Sequence, residues 1–81
     1  MKELIIKFQP FVFKQTVFVK DGSKLKEEQV PQKDLANYIS LCEGVHTVHF
    51  FGNEKFARKI KEECITKYQM KPSTINFVYN K

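Results

Sequence analysis

The stretch that most constrains the fold is residues 47–79, which predicts a strand, a tight turn, a helix and a second strand. Thr47–Phe51 carries apolar side chains on both alternating faces, which favours a strand covered on two sides inside a mixed or parallel sheet. Thr74–Tyr79 alternates between apolar and polar residues. A short strand-helix-strand unit returns parallel and right-handed when both strands share a sheet. The alternation places Ile75, Phe77 and Tyr79 on one face of the second strand.

A helix is predicted between these two strands. Asn53 is a suitable N-cap, because its side-chain oxygen can accept a hydrogen bond from a free amide of the first turn. Pro72 ends the pattern, since the residue before a proline avoids the helical conformation. The apolar positions fall on one stripe of a helix of about four turns. They are Phe56, Ala57, Ile60, Cys64, Ile65 and Tyr68.

Gly52 and Asn53 form the turn that leads into this helix, where free backbone amides can bind a phosphate or another anion. The functional interpretation is an anion site at the helix N-terminus. Any capped helix has the same pattern, and neither a glycine-rich loop nor a Walker lysine accompanies this one. Simple capping is the preferred interpretation.

The N-terminal part of the chain predicts three antiparallel strands. Lys2–Phe8 alternates and forms the first, and Gln9-Pro10 interrupts it. Phe11–Lys20 is rich in β-forming residues and predicts the second. Asp21-Gly22 is a pair favoured in two-residue hairpin loops, so this strand should pair with Ser23–Gln29.

The predicted hairpin register places Val19 opposite Lys24 and Phe18 opposite Leu25. The third strand is polar, and its lysines and glutamates favour a position at the edge of the sheet. The final strand, Thr74–Tyr79, is the other candidate edge.

A second helix is predicted from about Gln32 to Glu43, with Leu35, Ile39 and Cys42 facing inward and Gly44 capping its end. The chain is then one domain, residues 1–81, of the α/β (α+β) class. Its predicted order is β-β-β-α-β-α-β, a five-stranded mixed sheet with two helices on one or both faces in two or three layers.

This order resembles the core of the ribonuclease H-like fold, and residues 45–79 look most similar to its second half. The resemblance implies a catalytic carboxylate in the first strand, with others near the following helix and the end of the fourth strand, which bind a divalent metal. Leu4–Phe8 contains no acid, and Glu54 is the only acid near the end of His46–Phe51. The expectation is a ribonuclease H-like miniature without nuclease activity.

The charge pattern gives a second candidate surface. Fourteen Lys and Arg against nine Asp and Glu give a net charge of +5, and the positive excess lies at both ends of the chain. On the predicted second helix, basic residues face away from the apolar stripe and could contact a polyanion or an acidic partner. The competing interpretation, which is preferred, is the solvated side of an amphipathic helix. These residues are Lys55, Arg58, Lys59 and Lys61.

Aromatic and basic residues also interleave on the first two strands, an arrangement that single-strand-binding sheets use to stack bases. A two-layer domain needs such phenylalanines for its core, so core packing is the competing interpretation. The residues are Phe11, Phe13 and Phe18 with Lys7, Lys14 and Lys20.

No set of catalytic or metal-binding residues stands out. Cys42, His46 and His49 are chemically able to bind zinc, but a structural site normally takes four ligands, and the two histidines are expected on opposite faces of a strand. Cys42 and Cys64 are expected to be reduced thiols. The sequence predicts no enzyme activity, no cofactor and no metal.

The sequence therefore predicts a small, non-enzymatic interaction module that binds another protein, or a second copy of itself, through a sheet face or edge. Its small size suits an inhibitor or assembly factor, for instance from a phage or mobile element. A lysine-rich nucleic-acid-binding module is the alternative. Neither a membrane nor a small-molecule substrate is expected as a partner, and the expected location is the cytoplasm, since no signal peptide or long apolar run is present.

Overall fold

A five-stranded mixed sheet and two α-helices make up the structure, a computed structural model that describes residues 2–80. The predicted fold class and element order are confirmed. The strands are β1 (Lys2–Lys7), β2 (Lys14–Asp21), β3 (Lys24–Pro31), β4 (Val45–Phe51) and β5 (Asn76–Asn80). The helices are α1 (Leu35–Leu41), which follows a 3-10 turn at Gln32–Asp34, and α2 (Glu54–Thr66).

The strand order across the sheet is β3-β2-β1-β4-β5. β1, β2 and β3 pair antiparallel, whereas β4 pairs parallel with both β1 and β5. The chain therefore crosses the sheet from β3 to β4 and from β4 to β5 in the same direction. Two right-handed crossovers with the same direction place their helices on the same face.

Both helices accordingly pack on one face and touch each other, since the Cys64 Sγ of α2 lies 3.7 Å from the Ala36 carbonyl oxygen of α1. The domain has two layers. The sequence predicted that Thr47–Phe51, now part of β4, is covered on both faces. This is wrong for the second face of the sheet, which no helix covers within residues 2–80.

The core lies between the sheet and the helices. Leu4 and Ile6 of β1, Val17 of β2, and Val48 and Phe50 of β4 are buried there. Burial of such side chains is the main stabilising contribution in a domain of this size. The helices contribute Leu35, Ala36 and Ile39 from α1 and Phe56, Ala57, Ile60 and Cys64 from α2.

The helices differ from prediction at their ends. α1 is shorter than Gln32–Glu43, because its first residues form the 3-10 turn and the backbone becomes extended at Cys42. Gly44 has the predicted positive φ, 78°. In α2 the predicted apolar stripe is buried from Phe56 to Cys64, whereas Ile65 and Tyr68 are only half-buried.

The predicted register of the β2–β3 hairpin is wrong by two residues. Phe18 pairs with Glu27 instead of Leu25, and Val19 pairs with Lys26 instead of Lys24. Asp21 pairs with Lys24, so the two-residue loop is Gly22-Ser23 rather than Asp21-Gly22. Gly22 has a φ of 63°, the conformation that glycine adopts at the first central position of a II′ hairpin turn.

A β-bulge interrupts the pairing of β1 with β4. Lys2 pairs with Val45, but Glu3 pairs with Thr47, which leaves His46 as an extra residue. The extra residue shifts the alternation of β4, and Val45 joins the core as a result.

Asn53 caps α2 as predicted, because its Oδ1 accepts a hydrogen bond of 3.0 Å from the Phe56 amide. We expect Asn53→Ala to lower the free energy of unfolding by about 1 kcal/mol, measured by urea denaturation, since the Phe56 amide loses its acceptor. Asn53→Asp should stay close to the wild type. Equal losses in both variants would show that the cap is not the cause.

Candidate functional site

The connection between β1 and β2 presents the most exposed aromatic residues described in the protein. Phe11 and Phe13 are 104% and 95% exposed, and Val12 is exposed as well. We call Phe11–Phe13 the Phe loop. The prediction of a strand from Phe11 is wrong, because β2 begins only at Lys14. The interpretation of these two phenylalanines as core residues is therefore also wrong.

The side chain of Gln15 anchors the backbone that flanks the Phe loop. Its side chain is fully buried, its Oε1 accepts a bond of 2.9 Å from the Gln9 amide, and its Nε2 donates to the Gln9 carbonyl at 2.8 Å. Nε2 also donates to Gln32 Oε1 at 3.1 Å. A buried amide with all these partners rigidifies its surroundings, because any movement leaves polar groups unpaired. A further bond of 2.9 Å joins the Gln32 amide to the Phe13 carbonyl.

The backbone of the Phe loop is strained. Phe11 has a φ of 62°, a left-handed conformation that is unusual for a bulky residue and costs about 1–2 kcal/mol. The Gln15 hydrogen bonds hold the loop in place despite this strain. Neither ring gains burial in return for this strain.

A groove of about 880 Å³ separates the Phe loop from α2. Phe13 and Val12 form one wall, and Phe56 and Ile60 of α2 form the other. We call it the lysine groove, because four lysines line it and only one acid, Glu63, balances them. The four are Lys14, Lys33, Lys59 and Lys67.

Three of the basic residues predicted on this helix, Lys55, Arg58 and Lys59, lie on one exposed face, and Lys61 lies away from it. Lys59 lines the groove, whereas the Lys61 Nζ lies 5.8 Å from the Phe77 ring centroid, above β5. Residues two apart lie about 200° apart around a helix axis, which separates these lysines. Arg58 pairs with Glu54 at 3.3 Å, and Lys55 is exposed. Sequence reasoning missed the groove because its lysines come from β2, the 3-10 turn, the body of α2 and the residue that follows α2.

The predicted anion site at Gly52 and Asn53 has the geometry of an ordinary cap. Asn53 Oδ1 occupies the Phe56 amide that an anion would need, and Glu54 places a carboxylate in the first turn. Gly52 has a φ of 102° and lies against the backbone of Phe8, so this position requires glycine. These contacts favour capping.

The face of the sheet opposite the helices carries a row of adjacent side chains from four strands. The pairings align Phe18, Ile5, His49 and Val78, all half-buried. We call this surface the open face. Lysines and glutamates surround the row in similar number, so the surface has little net charge.

Glu3 lies on the open face and within β1, so the expectation that the first strand contains no acid is wrong. Its Oε1 lies 2.9 Å from His49 Nε2. The hydrogen bond with His49 lowers the pKa of Glu3, and the charges of His49, Lys20 and His46 act in the same direction. His46 bonds to the Thr47 hydroxyl at 2.7 Å. Among residues 2–80, no three His, Cys, Asp or Glu residues are grouped so that they could hold a metal ion.

Both cysteines are free thiols, as expected. Burial raises the pKa of Cys64 to about 11 and also raises that of Cys42. Since the thiolate is the reactive form, both side chains are poor nucleophiles at neutral pH. Nearby, the Tyr38 hydroxyl donates to Glu28 at 2.7 Å.

The two edges of the sheet differ in charge. β3 has four charged side chains along it, which discourage pairing with another strand. β5 is the opposite edge and consists of Asn76, Phe77, Val78, Tyr79 and Asn80, with no charge and no proline. Both edges were predicted as such, and β5 is the one that lacks protection.

Comparisons of the chain with protein-family models, with curated proteins and with solved structures give no match. None of the helices between residues 2 and 80 has the length and apolar character required to cross a membrane.

Replacement of Gln15 by Leu keeps the volume of this side chain but removes the bonds that hold Gln9 and Gln32. We expect the free energy of unfolding in urea to fall by about 1–3 kcal/mol, because buried polar groups lose their partners. Gln29→Leu, at an exposed amide of β3, should change it by less than about 0.5 kcal/mol. Similar losses in both variants would contradict the anchoring role.

Glu3→Gln tests the bond to His49 through its pH dependence. Because its pKa is lowered on folding, ionised Glu3 stabilises the folded state fully above 4.5, the ordinary glutamate value, and this contribution is lost as pH falls through the lower folded-state pKa. The variant should therefore be less stable than wild type at about pH 6, and the difference should shrink as pH falls below 4.5. The control is Glu27→Gln on the same face; a pH-independent difference would contradict the assignment.

Proposed function

We propose that the protein is a small, non-enzymatic interaction module that binds another protein through an edge of its sheet, and that its partner at β5 is the β5 strand of a second copy. The observation that carries the proposal is the uncharged, unprotected β5 edge. An exposed strand edge presents unpaired backbone N–H and C=O groups, and addition of a strand satisfies them.

The sequence of β5 suits pairing with itself. Antiparallel pairing about a two-fold axis at Val78 places Asn76 opposite Asn80 and Phe77 opposite Tyr79. Amides then face amides, and aromatic rings face aromatic rings, which are favourable cross-strand pairs. The β3 edge offers no equivalent, because its four charged side chains keep the edge solvated and discourage the addition of a further strand.

An unmet hydrogen-bond requirement in the monomer also supports this pairing. The Asn80 side-chain nitrogen is buried and has no hydrogen-bond partner among the described residues. A buried donor without a partner is costly, and natural proteins rarely retain one. In the proposed register the side-chain amide of Asn76 from the second copy stands opposite Asn80 and offers an acceptor once the Asn80 side chain turns outward to the edge.

The proposed pairing also enlarges the open face. In the paired state the sheets of two copies become continuous, and both open faces lie on the same side. The row that ends at Val78 then continues across the two-fold axis into the second copy. An apolar row of that extent fits a protein partner better than the face of a single copy does.

The resemblance to the ribonuclease H-like fold stays a hypothesis. What supports it is the order β-β-β-α-β-α-β. A nuclease function has weaker support, since the Glu54 carboxylate is exposed and paired with Arg58. Loss of a metal-dependent cleavage activity in Glu54→Gln would favour the nuclease function over the one proposed here.

Charge substitutions at Val78 test the proposed dimer, because the two-fold axis places both Val78 side chains opposite each other. We expect sedimentation equilibrium to show dimers of the wild type, and Val78→Lys and Val78→Glu each to weaken self-association by roughly tenfold or more through like-charge repulsion. An equimolar mixture of the two variants should regain the dimer, because Lys then faces Glu.

Leu25→Lys is the matched control, since it adds the same charge to an exposed residue of β3, the opposite edge. It should dimerise as the wild type does. A monomeric wild type at all concentrations would refute the self-pairing, and variants that fail to recover on mixing would refute the register.

A further inference from the structure

The Phe loop and the lysine groove lie side by side, and β5 contributes no residue to either. We propose that they form a binding site for single-stranded nucleic acid, in which bases stack on Phe11 and Phe13 while the lysines of the groove bind the phosphates. The site is separate from the dimer edge in its residues and in the chemistry of its ligand.

The two phenylalanines of the Phe loop are exposed and have no role in the core. Phe11 and Phe13 are 104% and 95% exposed, so neither ring stabilises the core. Phe11 has a left-handed φ, and the Gln15 hydrogen bonds hold the backbone that flanks the loop. Both rings are open to solvent, and every base has a face that can stack on them.

The lysine groove supplies the positive charge that phosphates require. Four lysines against Glu63 make it strongly positive, in a chain of net charge +5. Lysine is a point charge on a flexible stem, which suits phosphate oxygens and does not read base edges by paired hydrogen bonds. The single arginine, Arg58, does not line the groove. Binding is therefore expected with little sequence preference.

The shape of the site favours a single strand over a duplex. The bases of a duplex are stacked on each other, so their faces are not available to protruding rings. A single strand can turn its bases toward the Phe loop while its backbone follows the groove. An acidic peptide would pair with the lysines of the groove, but it would leave Phe11, which does not line the groove, without a partner.

The test is fluorescence anisotropy with a labelled oligodeoxythymidylate of about 12 nucleotides, a length within the range that small single-strand-binding domains cover. If four phosphates are neutralised, the affinity should fall on the order of 50-fold between about 50 and 200 mM salt. A duplex of the same length should bind more weakly at every salt concentration.

Two double variants separate stacking from charge. Phe11→Ala with Phe13→Ala should weaken binding by roughly tenfold or more and leave the salt dependence unchanged, because no phosphate contact is lost. Lys14→Gln with Lys59→Gln should weaken binding and reduce the salt effect to about 7-fold, since two phosphate contacts remain. All four side chains are exposed, so neither variant should alter the far-UV circular dichroism spectrum.

The matched control is Lys24→Gln with Lys26→Gln, which removes the same charge from the β3 edge and should leave both affinity and salt dependence near the wild-type values. An equal loss in this control would refute the groove as the site and assign the binding to net charge. Unchanged affinity of the phenylalanine variant would refute stacking. Binding to phosphatidylserine vesicles or to an oligoglutamate peptide, with none to the oligonucleotide, would overturn the proposal in favour of those ligands.

Discussion

The handedness of the two crossovers is the constraint on which the rest of the structure depends. β3, β4 and β5 are parallel to one another, and the chain advances across the sheet in one direction through them. Right-handed connections then place α1 and α2 together on one face. The pair covers the core residues of β1, β2 and β4, and the second face of the sheet remains uncovered by either helix. The lysine groove beside α2 and the open face of the sheet both follow from this arrangement.

The same constraint explains how the lysine groove forms. α2 packs on α1 and on the sheet through one stripe, so its outer flank faces the start of β2 and the end of β3. The Phe loop stands at that point because Gln15, the second residue of β2, is buried and binds Gln9. A single polar side chain thus determines where an apolar loop is held. That arrangement is stable because both polar atoms of the buried amide have hydrogen-bond partners.

The sequence predicted the local elements well and the connections between distant residues poorly. The stripe of α2, its cap at Asn53 and the alternation of Leu4 and Ile6 depend on neighbours in the chain, and they are as predicted. The hairpin register was wrong because Asp-Gly and Gly-Ser both supply a glycine with positive φ, and only the cross-strand contacts choose between them. The bulge at His46 has no sequence signal of its own.

The Phe loop was beyond prediction for a related reason. Phenylalanine within a β-rich stretch predicts a buried strand, and only the buried Gln15 reverses that expectation for Phe11 and Phe13. Its burial depends on Gln9 and on the distant Gln32, which tertiary structure brings together. The grouping of the four groove lysines has the same origin. Local pattern therefore identifies the helices and strands, whereas the surfaces that they create require the three-dimensional arrangement.

Charge gives the two proposed surfaces separate roles. Two lysine grooves repel each other, so self-association through them is disfavoured, whereas β5 carries no charge that opposes its pairing with a second copy. Pairing at β5 leaves both grooves free, since no groove residue lies on that strand. A dimer would then hold two positive grooves on one rigid sheet. A single strand long enough to reach both would bind with higher affinity than one groove provides, because the second contact becomes intramolecular.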